Sequence, residues 1–344
     1  MPLYDGGYEG REARVEPDAG GVPSTPPPDR GVRIDWAEMP DRVRSRVERW
    51  LGGSVVSAVT QPTGFSPGVA ARLTADNGRR VFLKAVTSER NAVSGQLHRR
   101  EIGIVSALPK AAPVPRLLWS YDEGEGGWVA LVFDDVEGRH PAQPWRVDEL
   151  ARVVAATEEL SASLTPSPLP AGAVRTAGEL FSAEICGWRR LLDERPAQLD
   201  LLDAWSRRHI EALAAVEDTA VSALTGETLL HTDLRADNIL LTPERTWFVD
   251  WPHASIGPPW LDVVALAPSV TMQGGPTPEE VIAKHSACRA GDGDAITAVV
   301  VSIAGYFTRQ ALQPPPPGIP TVRAFQAAQG VVARRWAAER MGLG

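Results

Sequence analysis

His231-Thr232-Asp233-Leu234-Arg235-Ala236-Asp237-Asn238 runs straight into the apolar residues Ile239-Leu240-Leu241, and Asp250 closes a second apolar stretch, Trp247-Phe248-Val249, twelve residues after the Asn. The two apolar runs predict the arms of a β-hairpin, which would bring Asn238 and Asp250 side by side. A carboxylate at Asp233 can face an acceptor hydroxyl. An amide oxygen at Asn238 and a carboxylate at Asp250 can hold a hard divalent cation, which prefers oxygen ligands. Together these are the groups that phosphoryl transfer from a nucleotide requires. An Asp–Asn pair this close also suits a solvated turn, but the flanking apolar runs pin the loop to a buried sheet. A metal-dependent hydrolase is the rival reading; six His occur, and no two stand at ligand spacing.

Upstream, Val81-Phe82-Leu83-Lys84-Ala85-Val86 reads as a strand carrying a Lys at its end. The chain holds only three Lys against 32 Arg, so each Lys invites a local reason. Lys110 falls in a Pro-containing loop and Lys284 on a predicted exposed helix. An ammonium at Lys84 is costly to bury unless it meets an anion, and Glu101, seventeen residues on, lies in the following helix. Glu89 is nearer in sequence but belongs to the turn before that helix. A strand-end Lys also commonly reaches back to solvent. Between the first two strands, Thr63-Gly64-Phe65-Ser66-Pro67-Gly68 is a flexible turn suited to lie over phosphates with its backbone N–H groups.

Working outward, Val43, Val47, Trp50 and Leu51 share a helical face that Gly52-Gly53 ends. Strands are predicted over 55–61, 69–75, 80–86, 116–123 and 127–136, the second and third joined by the hairpin turn Asp76-Asn77-Gly78. A helix is predicted from about Asn91, a suitable N-cap, to Leu108. Beyond Glu137 the pattern is mostly helical, with helices near 147–164, 177–194, 198–218, 277–290, 293–313 and 320–341. The reading divides the chain into a loosely packed tail (1–31), with six Gly and six Pro, a β-rich lobe (32–136) and a helical lobe (137–344).

Composition narrows the partners. The 344 residues carry 43 acidic and 35 basic side chains, a formal charge of −8, which argues against general nucleic-acid binding. Two cysteines, Cys186 and Cys288, are too few for a disulfide framework. The longest apolar run, Ala295 to Phe307, is shorter than the roughly 20 residues a bilayer-spanning helix needs. The expectation is a cytoplasmic protein, monomeric or weakly dimeric, without nucleic-acid or membrane partners.

With these motifs in order (glycine turn, strand Lys, helix Glu, then Asp, Asn and Asp), the chain resembles the aminoglycoside phosphotransferase family, the small-molecule branch of the protein-kinase-like fold. HTDLRADNILL resembles that family's catalytic loop, and FVDWPHASIGPPWLDVVAL its metal-binding Asp segment with the helix after it. The similarity runs from about Thr63 to Leu266. It implies an α+β, bilobal fold with a small antiparallel sheet in the first lobe and a mostly helical second lobe. It also implies a small-molecule hydroxyl acceptor, ATP or GTP as donor, and Mg²⁺. By position, Asp233 would be the catalytic base and Arg235 would face the transferred phosphate. Asn238 and Asp250 would hold Mg²⁺, Lys84 would hold phosphates and Glu101 would fix Lys84. His231 would brace the loop. Gly64, Phe65, Ser66 and Gly68 would cover the phosphates, and Phe133, Asp134 and Val136 would belong to the purine-facing hinge.

Two departures stand out. Trp251-Pro252 follows Asp250 where protein kinases have Phe-Gly, and Phe-Ser-Pro occupies the middle of the phosphate loop. Pro258-Pro259-Trp260-Leu261-Asp262 follows soon after Asp250, leaving no room for the activation segment of a protein kinase, and Asp262 can anchor the catalytic-loop backbone. Acidic residues open to a cationic acceptor include Asp148, Glu158, Glu159, Glu179, Glu184 and Asp262, most of which also suit solvated helix faces. Trp145, Trp188, Trp251 and Trp260 can stack on a ligand or fill core, and His253 lies near Asp250. A nucleotide-binding scaffold without catalysis, or a protein kinase, are the alternatives the same residues admit.

Overall fold

The computed structural model describes Pro27 and residues 32–343 apart from Ser66, Arg90 and Arg195. All but one residue of the expected tail over 1–31 lies outside the described residues. Helix α1 (Asp41–Leu51) ends where Gly52, at φ 71°, turns into the left-handed region and donates its N–H to Glu48 and Arg49. Strands β1 (Val55–Thr60), β2 (Val69–Ala75) and β3 (Arg80–Thr87), helix α2 (Ala92–Ala107), and strands β4 (Leu117–Asp122) and β5 (Trp128–Asp134) follow. The strands form one antiparallel sheet in the order β1-β2-β3-β5-β4.

Strand alternation decides what each face does. Leu73, Leu83 and Val132 lie on the face covered by Val43, Val47 and Leu51 of α1, together with Ile34 and Trp36. Val129, Leu131 and Phe133 lie on the other face, packed with Ile104 and Val105 of α2. Lys84, one step from Leu83, therefore points toward α2.

The rest of the chain is helical around two small two-stranded sheets. Helices α3 (Val147–Ser163), α4 (Ala177–Leu180), α5 (Trp188–Glu194), α6 (Ala204–Glu217) and α7 (Ala220–Ala223) come first. Strands β6 (Thr228–Leu230), β7 (Ile239–Leu241), β8 (Thr246–Phe248) and β9 (Ser255–Gly257) pair antiparallel as β6 with β9 and β7 with β8. Helices α8 (Leu261–Met272), α9 (Pro278–Ile282), α10 (Ser286–Ala290), α11 (Gly293–Ala311) and α12 (Val322–Met341) complete it. Helix α8 is apolar on nearly every side and buried accordingly. The core is continuous from β5 and α2 into these helices. The fold is thus α+β and protein-kinase-like, as the motifs imply.

Three expected helices are interrupted. That over 177–194 passes through a π-helical turn at Phe181–Ile185 and restarts at Trp188. A Cβ on Gly187 would lie 2.1 Å from the Gly305 carbonyl group, so backbone meets backbone there. Buried Glu217 accepts the N–H groups of Gly187, Trp188 and Arg189 at 2.8, 3.2 and 2.8 Å, capping the restarted helix. The helix expected over 198–218 begins only at Ala204, capped by the Asp203 side chain on Ser206 N at 2.9 Å. The one expected over 277–290 is split into α9 and α10, with Lys284 in the exposed turn between them.

Candidate active site

Lys84 stands opposite Ala70 of β2 and Leu131 of β5. Its Nζ donates to both Glu101 oxygens, at 2.8 and 3.0 Å, and to Asp250 Oδ1 at 2.8 Å. Glu101 Oε1 also accepts the Trp251 N–H at 3.1 Å, which ties α2 to the segment after Asp250. Asp250 itself sits at φ 70°, a conformation uncommon for a residue with a side chain. Burial works against the Lys84 charge, but Asp250 and Glu101 outweigh it and hold the ammonium above its ordinary range. Burial also opposes the Asp250 charge; Lys84 overcomes that and keeps the carboxyl well below the usual range. The Asp250 side chain is 37 % exposed, so solvent in the cleft screens part of this pull. Glu101 moves the other way, because burial outweighs the pull of Lys84 and the charge of Asp250 adds to it.

The segment 231–238 is held from beneath. Asp262, in the first turn of α8, accepts the N–H groups of His231 and Thr232. His231 donates from Nε2 to the Val249 carbonyl at 2.9 Å, which leaves Nδ1 to accept the Asp233 N–H at 3.3 Å. The imidazole thus braces the loop against the strand leading to Asp250. Arg235 reaches both Asp233 oxygens at 2.9 and 3.1 Å from one nitrogen and grips Asp237 at 2.9 and 2.7 Å with two others. Asn238 donates Nδ2 to the Asp233 carbonyl at 2.8 Å.

Lys84, Glu101, Asn238 and Asp250 line one cleft that opens to solvent. Its apolar walls include Val69, Ala70, Phe82, Val105 and Leu240, and Phe133, Asp134 and Val136 line its hinge side. The Val136 carbonyl accepts from Arg72 at 2.9 Å and from Gly138 N at 2.9 Å. The Val136 N–H makes no hydrogen bond among the described residues. Asp233 and Arg235 are not among the residues lining the cleft; they meet it through Asp237 and Asn238.

The glycine turn differs from expectation. Gly64, at φ 87°, lines the cleft. Phe65 does not: its ring is buried against Phe325 of α12, edge-on at 5.3 Å, in a cluster with Met272, Ile319 and Val322. Gly68 serves close packing instead, since a Cβ there would lie 2.5 Å from the Ala85 carbonyl oxygen. Ser66 lies outside the described residues. Among the acidic residues considered for an acceptor, Asp148 pairs with Arg146, Glu179 caps α4, Glu158 accepts the Ser286 N–H and Glu184 pairs with Arg175. Trp145, Trp188 and Trp260 are buried core residues, and Trp251 is buried while also lining the cleft.

Cleft residues that escaped the sequence reading include Arg33, Arg72, His98, Asp237 and His140. His140 donates from Nδ1 to the Ile239 carbonyl at 3.0 Å and accepts the Thr63 hydroxyl at 3.2 Å, linking the glycine turn to β7. Asp237 had a signal within the HTDLRADN motif itself, one residue before Asn238. The others sit in segments with no local pattern that points to a ligand.

A strand cation tied to a helix carboxylate, facing an Asp–Asn loop and a second Asp across one cleft, is the arrangement of a protein-kinase-like phosphotransferase. A sequence profile of the phosphotransferase enzyme family matches residues 62–295, and the chain belongs to that family. Among solved structures, a thermostable mutant of aminoglycoside phosphotransferase APH(4)-Ia, in ternary complex with ADP and hygromycin B, has TM-score 0.59 at 16 % identity. That match covers 88 % of this chain and 99 % of the other. An aminoglycoside phosphotransferase from Alicyclobacillus acidocaldarius has TM-score 0.54 at 16 % identity, over 84 % of this chain and 92 % of its own. A choline/ethanolamine kinase family protein from Mesorhizobium loti has TM-score 0.52 at 18 % identity, over 88 % and 99 %. At these identities the likeness is one of fold. No curated protein matches the sequence significantly.

Proposed function

We propose that this phosphotransferase moves the γ-phosphate of ATP or GTP to a hydroxyl of a small molecule, with Mg²⁺ assisting. The observation that carries the reading is the Lys84–Glu101–Asp250 cluster, standing in one cleft with Asn238 and beside the Asp233 loop. In this reading Lys84 keeps Glu101 as its anchor and turns its remaining N–H groups to the nucleotide phosphates. The Val136 N–H and the apolar walls around Phe82 and Leu240 receive the purine. Asp233 accepts the proton of the acceptor hydroxyl, and Arg235 fixes the orientation of its carboxylate.

Asn238 and Asp250 fit a hard divalent cation. Both offer oxygen, and Asn238 uses its amide nitrogen on the Asp233 carbonyl, which leaves the amide oxygen for a cation. Among the described residues no three His, Cys, Asp or Glu side chains converge as a metal site. That suits Mg²⁺, which takes one or two protein ligands and completes its shell with phosphate and water oxygens. When bound, the cation supplies charge neutralisation to the phosphoryl group being transferred.

A small acceptor is favoured because only the ten residues 251–260 separate Asp250 from α8, too few for an activation segment. A hydroxylated antibiotic or another secondary metabolite is the first class to try. Labelled phosphate transfer from ATP and from GTP across a panel of hydroxylated metabolites and antibiotics tests the proposal. Turnover that disappears in Asp233→Ala while nucleotide binding persists supports it; turnover retained in that variant overturns the assignment of the base.

A further inference from the structure

Arg33 precedes the first residue of the family match by 29 positions, yet its side chain lines the same cleft as Lys84, Asp237 and Asp250. The segment that carries it is tied down on both sides. Val32 donates its N–H to the Gly318 carbonyl at 2.8 Å, on the loop before α12, and Ile34 donates to the Gly68 carbonyl at 3.2 Å. Ile34 and Trp36 are buried against the α1 face of the sheet. The segment thus crosses from the helical part to the sheet beside the glycine turn. From there the Arg33 guanidinium donates to the carbonyl oxygens of Thr63 and Gly64, the second at 3.4 Å. A phosphate takes two parallel N–H···O bonds from a guanidinium.

The charge around it points the same way. A nucleoside triphosphate brings several negative charges into a cleft that already holds Asp237, Asp250 and Glu101. Lys84 divides one positive charge between two of these carboxylates. Burial pushes the Arg33 guanidinium below its ordinary range, and the attraction of Asp250 and Asp237 offsets only part of that. A second cation beside the glycine turn would add to the positive charge that Lys84 offers such a ligand.

On the reading of this cleft as a nucleotide site, we infer that Arg33 is a phosphate-binding residue, delivered by the segment upstream of the family's common sequence and selecting for the charged tail of the nucleotide. It is a positioning residue for the transferred group and also fixes the glycine turn.

Calorimetric titration of the full chain with ATP, ADP, AMP and adenosine, and with the guanosine series, tests this for wild type, Arg33→Gln and Arg33→Lys. Arg33→Gln is expected to weaken the triphosphate by about 10- to 100-fold, to weaken the diphosphate less, and to leave the nucleoside within about twofold. Arg33→Lys, which keeps the charge and loses the fork, is expected to fall between and guards against a Gln variant that fails to fold. Equal losses for nucleoside and triphosphate mean a loop clamp only and overturn the inference, as does unchanged triphosphate affinity in both variants. A wild type that binds no nucleotide of either series overturns the nucleotide reading itself, and this inference with it.

Discussion

Asp262 accepts the backbone N–H groups of His231 and Thr232 at 2.9 and 2.7 Å, so one carboxylate on α8 carries the turn that presents Asp233. Thr232 sits at φ 57°, which a β-branched residue adopts only when its surroundings enforce it. Replacing Asp262 by Ala leaves two N–H groups without their acceptor, and a loss of about 2–5 kcal/mol is expected. Because the same bonds set the loop, kcat should fall further than the stability loss alone would cause. Urea unfolding alongside turnover checks both, and an Asp262→Ala enzyme with wild-type kcat would refute the anchoring role.

Lys84 and Glu101 are a buried ion pair whose value shows most clearly when one partner is removed. Lys84→Met leaves the Glu101 carboxylate buried next to Asp250, and the fold should lose about 3–5 kcal/mol. In Lys84→Met/Glu101→Gln the stranded charge is gone, so part of that loss should return although neither variant regains phosphate transfer. Denaturation midpoints of the two variants decide it. A double variant no more stable than Lys84→Met would mean that Glu101 is not carrying the charge assigned to it.

What was legible beforehand is what local chemistry encodes. The Asp76-Asn77-Gly78 turn forms with Gly78 at φ 82° and Asn77 Oδ1 accepting the Arg79 N–H at 3.0 Å, all within three residues. Asn91 caps α2 through Ser94 N at 2.9 Å, equally locally. Lys84 facing Glu101 follows from strand alternation followed by one helix. The break at Gly187 depends on Gly305 and Glu217, which are distant in sequence, so an uninterrupted helical pattern hid it. Phe65 reads as part of a flexible turn until α12 comes to meet it, and Arg33 carries no local signal at all until the Gly318 loop ties its segment down. Contacts made by tertiary closure leave no period in the sequence to find.

The Phe65–Phe325 contact fastens the glycine turn to the helical part, and Arg235 lies over both rings at 5.2 and 5.9 Å. Phe325→Ala should cost about 3–5 kcal/mol through the cavity it opens. With the turn unfastened, KM for the nucleotide should rise; with Arg235 losing its platform, kcat should fall as well. Phe325→Leu keeps most of the volume and should cost less than about 1.5 kcal/mol. Stability curves and nucleotide kinetics on both variants test this. Unchanged kinetics in Phe325→Ala would reduce the contact to core packing.

His98 gives the cleft a pH signature. It is buried on α2 and donates from Nδ1 to the Ser94 carbonyl at 2.9 Å. Burial, reinforced by the Lys84 charge, pushes the imidazole down to about 4. The unfolded chain, with an ordinary His, binds a proton near pH 6.5 while the folded chain does not. Below that pH the unfolded state therefore holds more protons, and folding stability falls as pH drops toward the folded value. Between pH 7.5 and 5 the loss attributable to His98 is about 2 kcal/mol. His253, also shifted down by burial, adds a loss of the same sign, so the wild-type curve alone does not isolate the effect. The difference between wild type and His98→Gln does. Urea midpoints from pH 7.5 to 5 should fall less steeply in the variant, and parallel curves would show that His98 takes up its proton in the folded protein.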